Sequence, residues 1–82
     1  MELYEIAKVN KNICGIQTEY TLFKANSNIY SIEIKRGEDT VKEVFNGDFF
    51  SIVKLFETIF NTDTLPENLP EIACDAKNTF YV

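Results

Sequence analysis

Along residues 29–36, IYSIEIKR, apolar and polar side chains take turns, with Tyr30, Ile32 and Ile34 on one parity and Ser31, Glu33 and Lys35 on the other. A period of two marks a strand with one dry and one wet face. Residues 16–24, IQTEYTLFK, repeat the pattern: Ile16, Thr18, Tyr20 and Leu22 oppose Gln17, Glu19 and Thr21, and Phe23 interrupts it. Residues 2–9 and 40–45 supply a first and a fourth strand. Turn formers separate the four at Asn10-Lys11-Asn12, Asn26-Ser27-Asn28 and Arg36-Gly37-Glu38-Asp39. Connections this short join only antiparallel neighbours, so the strands form a meander.

The next segment, VFNGDFFSIVKLFETIFN at 44–61, holds five of the seven phenylalanines. Asn46-Gly47 between apolar runs is a hairpin signal. A hairpin would require alternation after it, yet Phe49, Phe50, Ile52 and Val53 are apolar on both parities. Wound at about 100° per residue, Phe49, Ile52, Val53, Leu55, Phe56, Ile59 and Phe60 fall in one arc of roughly 160°. Ser51, Lys54, Glu57 and Thr58 fill the other side. The pattern predicts a helix over 48–61, with Gly47 allowing the sharp exit from the strand and Asp48 as N-cap.

A second helix is expected after Thr64-Leu65, with Pro66 in its first position and Pro70 tolerated because it is still near the first turn. Leu69, Ile72, Ala73, Ala76 and Phe80 share its apolar face, and the tail from Thr79 has an extended alternative. A sheet with one dry face must hide it, and the two C-terminal helices are the available cover. The expected fold is therefore α+β: a four-stranded antiparallel meander packed on two helices, a two-layer sandwich in a single domain over 1–82. A chain of this length buries only about 60–65% of the surface its unfolded form exposes, so each buried aromatic counts.

Composition narrows the function classes. The net charge is −5, without histidine or tryptophan. Residues 46–82 carry two lysines against six acids, whereas residues 1–45 are nearly balanced. Nucleic-acid and anionic-membrane surfaces need basic patches, so neither partner is expected. The start, MELYEIAKVN, lacks the basic and apolar regions of a signal peptide, and no run approaches a bilayer span; a cytoplasmic protein is expected. Cys14 and Cys74 lie far apart without CxxC spacing, and reduced thiols are the simpler reading over a disulfide; Cys14, with no cation nearer than Lys11, is read as inert rather than reactive. With no histidine, no P-loop and no dinucleotide fingerprint, neither a metal nor a cofactor is expected, and the usual catalytic base is missing.

Two features remain as candidate partner-binding sites. Glu67, Glu71 and Asp75 recur every four residues on the polar side of the second helix. They form either a surface for a basic partner or a plain solvated face. Phe50 falls outside the main apolar arc; it is either an exposed anchor for a partner or a dimer, or it packs beneath a loop or against the second helix. The strand aromatics Tyr4, Tyr20, Phe23 and Tyr30 are expected as cross-strand pairs rather than as a base-stacking platform.

The stretch VKLFETIFNTDTLPENLPEIACDA resembles a family of small uncharacterised proteins of clostridia-like Firmicutes, through Val53, Leu55, Ile59, Pro66, Leu69, Ile72 and Asp75. That resemblance covers about a third of the chain and implies a strand meander followed by two helices, without an assigned activity. The functional expectation is a small non-enzymatic interaction or regulatory domain that binds protein, as a homodimer or with another chain. The alternatives are a phage- or plasmid-encoded acidic inhibitor of a nucleic-acid-binding target and a small enzyme working with carboxylates alone.

Overall fold

The computed structural model describes residues 3–80, with side chains described as far as Asp75. Four strands, β1 (Tyr4–Ile13), β2 (Ile16–Asn26), β3 (Ile29–Arg36) and β4 (Asp39–Asn46), are followed by α1 (Phe49–Asn61), a 3-10 turn at Pro66–Asn68 and α2 (Leu69–Phe80). The strands pair in chain order as one antiparallel sheet. This is the expected α+β meander with two C-terminal helices.

The first turn departs from expectation. Asn10, Lys11 and Asn12 lie inside β1, opposite Glu19, Thr18 and Gln17. The chain reverses instead at Cys14-Gly15, with φ of 52° and 82°. Positive φ at both central residues is what a type I′ hairpin demands. The Asn12 side chain braces it, Oδ1 accepting from the Gly15 amide at 2.9 Å. The polar cluster misleads because Lys11, on the inner face, has a partner above the sheet.

The core lies between the sheet's inner face and the helices. Tyr20, Leu22, Tyr30, Ile32, Ile34 and Phe45 meet Ile52, Phe56 and Ile59 of α1 and Leu69 and Ala73 of α2, all buried. Helix α1 starts where the sequence places it: Asp48 Oδ1 accepts from the Ser51 amide at 2.7 Å. The same Asn46-Gly47 corner is tied down by Gly47 N donating to Asn28 O at 3.0 Å. On the outer face, Lys42 sits 4.9 Å above the Phe23 ring, and Lys8 and Lys42 pair with Glu5, Glu19 and Glu33. Phe23 thus interrupts the alternation because its ring belongs to this outer layer.

The end of α1 fixes the helix on the sheet. Asp63 takes φ of 53°, and Thr64 N reaches back to Ile59 O at 3.2 Å, the long bond of a Schellman stop. Lys11 Nζ donates to Phe60 O at 2.7 Å and also pairs with Asp63. Tyr20 Oη donates to Thr64 O at 2.9 Å. Two adjacent strands thereby grip one helix terminus, where a cation also meets the negative end of the helix dipole.

Candidate functional site

The opposite end of α1 carries apolar surface that the fold does not use. Phe50 is 79% exposed and Phe49 48%. Their rings meet edge-on at 6.1 Å, and Phe49 leans on the buried Tyr30 at 6.4 Å. Tyr30 pairs in register with Lys24, and Lys24 with Tyr4. Directly paired residues share a face, so Tyr4, Lys24 and Tyr30 form one row on the helix side. Helix α1 covers only the Tyr30 end of that row. Tyr4 is 64% exposed and Lys24 is exposed. Phe50 therefore lies on the surface and not under a loop or against α2, with Phe49 against it and Tyr4 farther along the same face, across Lys24. The sequence placed Phe50 outside the arc; it set Phe49 within the arc, where the structure leaves the ring half exposed, and it missed Tyr4 because only the register shows where the sheet outruns its helical cover.

Asp48 immediately precedes Phe49 and caps α1. The Ser51 amide that it accepts from holds its carboxyl below the usual value, so it carries its charge at neutral pH. In contrast, Tyr20 in the core has its phenol raised, first by burial and then by the charge of Asp63, with Arg36 acting the other way. On the outer face, Lys8 is raised by its hydrogen bond to Glu5 and by the charge of Glu19.

The three acids do not form one helical stripe. Glu67 belongs to the 3-10 turn, and only Glu71 and Asp75 sit on α2, one turn apart. Pro66 and Pro70 split the segment, because Pro66 suits the start of the turn and Pro70 cannot donate within a longer helix. All three side chains are exposed. The expected apolar face is buried at Leu69 and Ala73 and half-buried at Ile72; Ala76 and Phe80 lie beyond the described side chains. The backbone at Thr79 and Phe80 is helical rather than extended.

One open cavity of about 300 Å³ lies between the β3–β4 hairpin and the 3-10 turn, lined by Arg36, Asp39, Thr40, Val41, Leu65, Pro66 and Glu67. Arg36 donates to Ile13 O at 3.3 Å, while its Nε is buried without a partner. Cys14 and Cys74 are free and exposed. Among the described residues, no three His, Cys, Asp or Glu side chains cluster as metal ligands, and no helix is long and apolar enough to cross a membrane.

No protein-family model matches the chain, and no curated protein or solved structure is significantly similar to it. Function must therefore be argued from the surface itself.

Proposed function

We propose that this chain is a small cytoplasmic protein-interaction domain, without catalytic activity, that engages its partner through the aromatic patch at the start of α1. The observation that carries the reading is the pair Phe49–Phe50. This small domain leaves one phenylalanine four-fifths exposed although α1 has an inward arc to place it on. Exposed aromatic clusters of this kind supply the anchors of protein interfaces. The acidic trio Glu67, Glu71 and Asp75 is a separate surface, and its exposure supports a second reading in which a basic partner docks there, as an acidic inhibitor would.

A photo-crosslinking residue at position 50, introduced in the native host, tests the first reading. We expect one discrete adduct to a defined protein, absent when the crosslinker is moved to the exposed Lys35 on the outer sheet face. Equal, diffuse labelling from both positions would overturn it. The second reading requires a complex that weakens with salt and is lost when Glu67, Glu71 and Asp75 are reversed to lysine; a salt-insensitive complex would reject it.

A further inference from the structure

We infer that the partner at the aromatic patch is a second copy of this chain, docked about a two-fold axis that sets Lys24 of each copy against Asp48 of the other. The inference rests on the protein-binding reading above and specifies its partner.

The first support is size. Taking about 150–250 Å² for each aromatic side chain, the exposed parts of Phe50, Phe49 and Tyr4 amount to roughly 300–480 Å². That is comparable with the largest apolar patch on an ordinary monomer, about 300–600 Å². It is also about half of the roughly 800 Å² that each partner contributes to a standard interface. A polar rim around three rings completes such an area.

The second support is the placement of charge. In the row Tyr4, Lys24, Tyr30, Phe45, Phe49 sits over Tyr30, with Lys24 on the β2 side. Asp48 follows β4 on the other side, immediately before Phe49. Phe49 is therefore set between a cation on the β2 side and an anion that follows β4, while Tyr4 lies beyond Lys24 in the row. An isologous contact repeats the same patch on both partners. With the two-fold axis lying in the patch plane, across the line from Lys24 to Asp48, each cation faces an anion twice over. With the axis along that line, like charges meet, which is strongly disfavoured at an interface. The patch is thus complementary to itself in one orientation. It also contains a lysine although the chain as a whole is acidic, which lets the copies approach at this point.

The test uses the full chain, with mass measured by sedimentation equilibrium from low micromolar to millimolar protein and folding checked by circular dichroism. The wild type is expected to double its mass with concentration. Phe50→Asp is expected to stay folded and monomeric throughout. Lys24→Asp, an exposed change, is expected to weaken association by about tenfold or more, because it places two like-charge pairs in the interface. Adding Asp48→Asn, which keeps an N-cap acceptor but removes the charge, is expected to recover much of that loss. A wild type that is monomeric throughout would overturn the inference, and so would a dimer indifferent to Phe50→Asp or a Lys24→Asp defect that Asp48→Asn fails to relieve. A monomeric wild type that still crosslinks to a different protein from position 50 would leave the broader reading standing.

Discussion

Phe50 and Phe56 lie on the same helix and differ almost only in what covers them, so truncating each to alanine isolates the packing argument. Phe56 is 3% exposed and stacks edge-on with Phe60 at 5.3 Å. Removing a buried phenylalanine costs about 3–5 kcal/mol, cavity included. A chain of 82 residues has roughly 4–12 kcal/mol in total. Phe56→Ala should therefore take from about a quarter to all of the stability and lower Tm by roughly 12–40 °C, at about 4–8 °C per kcal/mol. Phe50 is four-fifths exposed. Full burial of such a ring is worth about 1.5–3 kcal/mol, so the covered fifth contributes roughly 0.3–0.6 kcal/mol. Alanine's better helix propensity, by up to about 0.7 kcal/mol, offsets that. Phe50→Ala should leave stability unchanged. The assay is urea denaturation followed by circular dichroism at low micromolar protein, where self-association does not contribute. Comparable losses from the two variants would refute the assigned faces of α1.

Three further outcomes follow from named contacts. Cys14→Asn places Asn-Gly in the type I′ turn, which its positive φ favours, and should raise stability by about 0.5–1 kcal/mol in the same denaturation assay. Lys11→Met keeps the stem but removes the cation from Phe60 O and Asp63; with the ammonium partly exposed, the expected cost is about 1–2 kcal/mol, larger at low than at high salt. Asp48→Ala should lower Tm at neutral pH. Because Asp48 titrates below its unfolded value in the fold, its contribution is complete above about pH 4 and fades as pH falls through the folded value, so the Tm difference should shrink in acid.

The architecture was legible where one physical demand dominated. At Asn46-Gly47 the turn signal pointed to a hairpin, but Phe49, Phe50, Ile52 and Val53 cannot alternate across a sheet, and Asp48 supplied the helix cap. Periodicity failed where a polar side chain has a distant partner. Lys11 looks like part of a turn, yet it belongs to the inner face because Phe60 and Asp63, 49 and 52 residues away, receive its ammonium. The hairpin at Cys14-Gly15 was obscured in the same way, since cysteine is an unusual residue at positive φ. The helix wheel set Phe50 apart but could not say whether something would cover it. Tyr4 joined the patch only through strand register, and Glu67 left the acidic stripe because two prolines divide the segment into a 3-10 turn and a helix.

The account turns on the aromatic patch serving as a contact surface while the rest of α1 seals the core. Fluorine NMR with 4-fluorophenylalanine placed singly at positions 50, 49, 45 or 56 examines this directly. At low protein concentration, the signals from 50 and 49 should be strongly broadened by a soluble paramagnet and those from 45 and 56 left sharp. At high concentration, the signals at 50 and 49 should shift and become protected while the other two stay fixed. A position-50 signal that is shielded at low concentration, or that stays equally exposed and unshifted at high concentration, would contradict the account.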